Sequence, residues 1–466
     1  MIELSHQPQL FLDDLLVARA HNLRRRLQQP DRHPANPLVV QEHPWERHSL
    51  QCYGNALYDE QAQRFRLWYF AAEQRDPDDV PWTVPGGGAA GRPLRLYRTC
   101  YAESGDGVGW VRPMVNALET PLYPDHNILI EDIHSACVLD EPDDPDPARR
   151  YKVAGGRTLG FSPDGLHWHT RPWEAVGKND TGTSVLRWRG RYLAYVRQQE
   201  SHPPDWPLVR AVGLAESDDF VHWTPKRTVL RTDALDGFPF TQPYGLTVFP
   251  CGDVLVGLLW MILLDRVEAP ERAWKWNNRV GDLRTELVVS RDGERWQRVA
   301  DRAPFLEPGP GAWERARVYP GTSVLAWGDE LRFYYTGADA RHGEGPGRTG
   351  IGLACLPAER LVAVERDGTG EPGLLETPPL ALPAGDLVVN ADLSGGGLAV
   401  ELLDPSGVPL PGSDATGCRL QPVDSRRWRV AWAEGAPIQA GPALGAVTLR
   451  FLLTGARLFS FRVRAP

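Results

Sequence analysis

Five short segments carry the residues best able to do chemistry. They are Pro44-Trp45-Glu46-Arg47-His48, Glu131-Asp132-Ile133-His134, Lys178-Asn179-Asp180-Thr181, Asp236 through Thr241-Gln242-Pro243-Tyr244, and Trp313-Glu314-Arg315-Ala316-Arg317. Each sets an acid or an amide beside an aromatic, imidazole or guanidinium group just ahead of an apolar run. A sixth stretch, Tyr334-Tyr335-Thr336-Gly337-Ala338-Asp339, leads to His342. Carboxylates in pairs suit acid–base cleavage of a glycosidic bond. One protonates the departing oxygen, and the other activates water or attacks the anomeric carbon. Arg and His suit hydroxyl or carboxylate binding, and flat aromatic faces suit sugar rings. On this inventory Glu46, Asp180 and Glu314 are the expected catalytic acids. Trp45, Arg47, Asp132, His134, Asp236, Gln242, Tyr244, Trp313, Arg317 and His342 are the expected substrate contacts.

These segments need a scaffold that brings distant parts of the chain to one place. Strand patterns dominate, as at 64–70 (RFRLWYF), 192–196 (YLAYV) and 331–335 (LRFYY), and helical periodicity is scarce. Gly (46) and Pro (42) punctuate the chain too often for long helices. One turn recurs: Ser104-x-Asp106-x-x-x-Trp110, Ser162-x-Asp164-x-x-x-Trp168, Ser217-x-Asp219-x-x-x-Trp223 and Ser290-x-Asp292-x-x-x-Trp296. Ser and Asp cap the turn backbone and Trp packs under it, so these aspartates are read as structural. With the strands before each turn, the repeats define units of about four strands, the pattern of propeller blades. A fifth unit at 318–354 lacks the turn. The expected fold is all-β: a five-bladed β-propeller at 41–368, a C-terminal β-sandwich at 369–466, and an opening segment at 1–40 that packs on the propeller.

Composition removes other classes. The 466 residues carry 51 basic and 60 acidic side chains, net −9, with no basic stripe for nucleic acid. The longest apolar run, Val254–Leu264, is too short to cross a bilayer. The six cysteines form no C-x-x-C pair, so neither a zinc ribbon nor a disulfide framework is expected. Residues 1–12 lack a basic start and a long apolar stretch, so the chain is expected in the cytoplasm, or outside it after removal of a leader. Gly86-Gly-Gly-Ala-Ala-Gly91 matches a dinucleotide fingerprint by letters alone, with no strand before it, and is read as a loop. The expected partner is a carbohydrate, with no nucleic acid and no membrane; no oligomeric state follows.

Pro44-Trp45-Glu46, Arg150-Tyr151-Lys152, the four S-x-D turns, Tyr334-Tyr335-x-Gly337 and Gly350-Ile351-Gly352-Leu353-Ala354 together resemble the five-bladed propeller glycosidases. That superfamily contains the invertases, inulinases, arabinanases and β-xylosidases, and the nearest resemblance is to uncharacterised bacterial invertase-like proteins. It implies a glycoside hydrolase acting on a furanoside or a related sugar. The W-M-N-D-P-N-G, R-D-P and E-C signatures of the invertases are absent here, so roles carry over by position only. Glu46 stands at the first-blade acid, Asp132 or Asp180 near the middle one, and Asp236 or Glu314 at the third. No cofactor is expected, although arabinanase-like relatives hold a structural Ca²⁺ in the funnel. Alternatives are a phosphate-dependent phosphorylase using Arg47, Arg317 and His342, and a non-catalytic carbohydrate-binding propeller. Sialidases share the turn type but use six blades, and five are counted here.

Overall fold

The computed structural model describes residues 1–76, 94–177, 179, 182–201, 208–265, 280–345, 347–368, 370–418, 423–432 and 439–465. The Gly86–Gly91 run lies outside them. Among the described residues the chain is all-β, and every helical element is a single 3-10 turn of three residues. No described helix is long and apolar enough to cross a membrane.

The first sheet orders Ser49–Asp59, Arg64–Arg75 and Leu94–Ser104, with Trp110–Val111 and Ile128–Glu131 both pairing the third strand. The second runs Ala136–Asp140, Tyr151–Gly155, Thr158–Ser162 and His169–Pro172. The third runs Ser184–Trp188, Arg191–Ser201, Leu208–Ser217 and Arg227–Leu230. The fourth begins with Thr241–Cys251, Val254–Leu264 and Gly281–Ser290. The fifth contains Arg317–Pro320, Glu330–Ala338 and Thr349–Pro357, and one parallel bridge, Leu283 to Arg317, joins it to the fourth. All other pairings inside these five meanders are antiparallel.

Side chains of the first strands tie the sheets into a circuit. Asn55 exchanges two bonds with Val138, at 2.9 and 2.8 Å. Val185 N donates to Cys137 Sγ, and Val248 N donates to Ser184 Oγ. Thr247 Oγ1 donates to Gly321 O, and Thr322 N returns to Gly54 O. The circuit thus closes from the fifth sheet onto the first. Satisfying these buried groups across sheets, where no ladder can reach them, fixes how the sheets meet.

The four S-x-D turns join third to fourth strands and share one pattern of bonds. Asp164 Oδ1 accepts from Leu166 N and His167 N, while Ser162 Oγ accepts from Gly165 N. Asp106, Asp219 and Asp292 do the same in their turns. The turns also latch sheets together. Tyr334 OH donates to Gly107 O, Trp68 Nε1 to Gly165 O, and Tyr195 OH to Gly293 O. The structural reading of these aspartates therefore has a geometric basis; three of the turns anchor an aromatic donor from another sheet, and the fourth anchors Arg149 and Arg171 through Asp219 O and Val221 O.

Two further sheets share one apolar core. Val400, Leu402, Leu449, Phe451 and Leu453 face Leu387, Val389, Leu458, Phe461 and Val463. The opening of the chain is woven into them. Ile2–Glu3 pairs Leu380–Ala381, Gln9–Leu10 pairs Arg457–Arg464, Arg19–His21 pairs Gly373–Glu376, and Leu23–Leu27 pairs Val362–Arg366. Asp31–Arg32 and Val39–Val40 pair with Thr349–Pro357 of the fifth sheet, and Leu10 and Leu12 pack in one core with Phe249 and Phe333 of the fourth and fifth. The expectation of a 1–40 segment lying on the first unit thus meets a chain start divided between both units. Val362–Arg366, expected in the first unit, pairs in the second.

Candidate active site

The lead-in segments deliver their side chains to two different environments. One is a cluster around Tyr53 and Tyr244, where side chains of the first, third, fourth and fifth sheets meet. Tyr53 leaves the first strand of sheet one, stacks on Trp260 (5.8 Å, 7° between planes) and abuts Tyr319 at 5.2 Å. Its hydroxyl lies 3.3 Å from that of Tyr244, and Tyr244 Oη lies 3.0 Å from His342 Nε2. His342 is held there by paired backbone bonds with Gly281. His134 sets its ring against Tyr53, Phe70 and Tyr97 at 5.2, 4.9 and 5.1 Å. Its loop is bent by two residues in the left-handed region, Asp132 (φ 56°) and Ser135 (φ 66°), a conformation that non-glycine residues hold only when the surroundings impose it.

Three buried arginines enclose this cluster. Arg197 lies over the Tyr244 ring at 4.6 Å and donates to Tyr244 O. Arg210 lies 5.8 Å from the same ring and donates to Gln242 Oε1 at 3.0 Å. Arg317 stands near Tyr319, whose hydroxyl burial pushes up. Burial, with Tyr244 and Tyr319 beside it, pushes the Tyr53 hydroxyl well above its ordinary value, so it remains a proton donor at any physiological pH. Tyr97, His134 and His342 are only half-buried, and there the cluster opens to solvent. Of the sequence-predicted residues, His134, Gln242, Tyr244, Arg317 and His342 come together here. Asp132, exposed two residues before His134, adjoins them through its N–H to Tyr97 O.

The other lead-in residues sit elsewhere. Glu46 is fully buried (0% exposed). Its carboxylate accepts from Glu42 N, His43 N, Tyr69 OH (2.6 Å) and Arg112 Nη1 (2.9 and 3.1 Å). Trp45 beside it is buried and donates to Asn127 Oδ1, while Arg47 is exposed. Glu314 repeats the device. It is buried, and Oε2 accepts from Tyr335 OH at 2.7 Å and Arg32 Nε at 3.1 Å. Trp-Glu-Arg therefore occurs twice, ahead of sheets one and five. Each time the Glu clamps a tyrosine of the second strand of the sheet that follows, and a distant arginine. Burial, reinforced by the carboxylate, raises both tyrosine hydroxyls, which stay protonated and donate. Asp236 is clamped by Arg298 and Arg302 and accepts from Asp233 N. Trp313 lines a separate cavity of about 400 Å³.

Asp180 lies outside the described residues. Its described chain neighbours stand against the cluster: Asn179 Oδ1 accepts from Arg197 N, and a Cβ on Gly182 would sit 3.1 Å from Gly245 Cα and 3.3 Å from Trp260 Cζ3. Sequence reasoning missed Tyr53, Arg197, Arg210 and Tyr319. The available signal was an arginine or tyrosine at a core-facing position near the end of an apolar strand, as in the YLAYVR ending at Arg197. Among the described residues no group of three or more His, Cys, Asp or Glu is placed to hold a metal ion.

No protein-family model matches the sequence, and no curated protein matches it. Several solved structures are similar at low identity. A glycosyl hydrolase from Bacteroides ovatus is 16% identical, with 72% of this chain and 96% of that one aligned and a TM-score of 0.44. A structure from the GH130 family of mannoside phosphorylases, which contains glycoside hydrolases directed at β-1,2 mannosidic linkages, is 16% identical over 72% and 97%, TM-score 0.45. The β-1,2-mannobiose phosphorylase of Listeria innocua, bound to β-1,2-mannobiose, is 14% identical over 73% and 98%, TM-score 0.49.

Proposed function

We propose that this chain is a glycoside-cleaving enzyme, that its five meanders form a five-bladed β-propeller followed by a β-sandwich, and that its reaction centre is the Tyr53–Tyr244–His342 cluster. The observation that carries the reading is convergence. His134, Arg197, Gln242, Tyr244, Arg317 and His342 come from the starts or ends of strands in different sheets and meet around one half-open aromatic floor. Aromatic faces with a few convergent donors are what a sugar site needs. Half-buried Tyr97 offers a face, backed by the buried Tyr53 and Phe70 rings, and Arg197 and Arg210 offer fixed donors to hydroxyls.

The acid chemistry falls to Asp180 and Asp132. Asp180 directly follows Asn179 in the chain, and Asp132 is exposed on the bent loop that carries His134. In this reading one protonates the departing oxygen and the other acts on the anomeric carbon, directly or through water. Glu46 and Glu314 serve the fold, since each is already committed to buried donors. A furanoside is the sugar class favoured by the resemblance.

One observation favours a second reading, phosphorolysis. Three buried arginines and His342 border one cluster, a setting suited to an inorganic phosphate nucleophile. Both readings are tested by product release from inulin, arabinan, yeast mannan and aryl glycosides, with and without phosphate. Free sugar in phosphate-free buffer supports hydrolysis, and sugar phosphate formed only with phosphate supports phosphorolysis. No turnover, with binding retained, leaves a carbohydrate-binding propeller.

A further inference from the structure

Trp313 is built as a platform. Its indole lies nearly parallel to Tyr335, with 5.7 Å between centroids and 28° between planes. Beneath it three glycines of two adjacent strands are bare. A Cβ on Gly337 would sit 2.2 Å from Trp313 Cζ3, one on Gly352 2.8 Å from Cη2, and one on Gly350 3.5 Å from Cε3. Any side chain at the first two positions would lift the ring from the sheet. The indole in turn lines the cavity of about 400 Å³, together with Pro37, Val40, Thr349 and Arg348. That volume is within the range of small-molecule sites.

The surroundings are rigid and amphipathic. Gln41 closes the floor by donating to Glu46 O and Arg47 O and accepting from Thr349 N. Arg348 ion-pairs with Asp339 at 3.2 Å, yet its side chain is 87% exposed, so guanidinium donors stand at the rim. A flat ring backed by a sheet, with hydrogen-bond donors at one edge, fits the apolar face and hydroxyl rim of a sugar unit. The cavity is separate from the proposed reaction centre but tied to it through the chain. One hairpin loop carries both His342, which bonds Tyr244, and Arg348.

We infer that Trp313 and Arg348 form a remote subsite for a second sugar unit, so that the substrate is an oligo- or polysaccharide chain rather than a small glycoside. The inference rests on the glycoside-cleaving reading of the central cluster. The test is affinity electrophoresis of the full chain in native gels containing inulin, arabinan, xylan or yeast mannan. Kinetics on an aryl monoglycoside and on oligomers of the retarding polymer accompany it. Trp313→Ala should weaken retardation by at least one polymer about tenfold, the scale of one lost aromatic contact. Trp313→Phe should recover most of it. Arg348→Ala, an exposed change that spares the fold, should weaken it about threefold. KM on the oligomers should rise more in Trp313→Ala than KM on the aryl monoglycoside does. Asp180→Asn should keep its retardation. Retardation of Trp313→Ala equal to that of the wild type overturns the inference, as does a wild type retarded by none of the four polymers. Trp313-dependent retardation without turnover of any substrate would sink the cleavage reading while the subsite stands.

Discussion

Glu46→Gln separates a catalytic acid from a structural one. Glu46 has no exposed surface and meets four donors: two backbone N–H groups, the Tyr69 hydroxyl and Arg112. The amide keeps the shape but removes the charge facing Arg112, whose side chain is only 10% exposed, and turns an NH₂ toward groups that themselves donate. Breaking a buried pair from one side costs about 3–5 kcal/mol. Arg112 retains Glu42 and Val40 O, which lowers the expectation to about 2–3 kcal/mol. For a chain of 466 residues that is a fall in Tm of about 2–4 °C. The assay is a thermal melt paired with kcat/KM measured well below the transition. The account expects the melt to fall and kcat/KM to stay within about threefold of wild type. An unchanged melt with turnover abolished would refute it, because that is how a reacting carboxylate behaves.

Four other outcomes follow from the same geometry. Glu314→Gln should lower stability by about 1–2 kcal/mol, less than Glu46→Gln, because its partner Arg32 is more exposed; chemical denaturation measures this. Tyr244→Phe and His342→Ala should each lower kcat/KM about tenfold. The double variant should lose less than the product of the two, which a double-mutant cycle reads. Asp164→Ala should cost about 1–2 kcal/mol by uncapping its turn, with no effect on turnover at temperatures where the fold persists. Burial opposes ionisation of Asp59, but N–H bonds, Tyr151 and Arg150 outweigh it and hold its carboxyl down at about 2. The stability this confers is complete above the ordinary aspartate range and is lost as pH falls through about 2, so Asp59→Asn should flatten the acid side of a Tm–pH profile.

Strands and turns were legible because their signals are local. Alternating runs bounded by Gly and Pro mark strands, and Ser-x-Asp caps its own turn within three residues. The five lead-in segments were legible as a set, and His134, Gln242, Tyr244, Arg317 and His342 do meet. What failed to show was the direction each carboxylate faces. Trp-Glu-Arg reads the same whether its Glu opens to solvent or is buried. The deciding partners are Arg112 and Arg32, far away in the chain and brought close only by the sheets. Arg197 and Arg210 were hidden for the opposite reason. They stand inside apolar strands, where an arginine reads as an edge residue until the neighbouring sheet puts Tyr244 beneath it. The pairing of Leu23–Leu27 with Val362–Arg366 leaves no local trace either, since register between distant strands is set by a shared core.

The central claim is that cleavage occurs at the Tyr244 cluster with an acid from the segment after Asn179. The most direct measurement is the rate of product release by Asp180→Asn beside the wild type, on whichever panel substrate the wild type turns over, with melting temperatures taken on both. The account predicts a loss of about a thousandfold or more in kcat with the melt little changed. Turnover near the wild-type rate in Asp180→Asn would contradict it and move the chemistry away from this cluster.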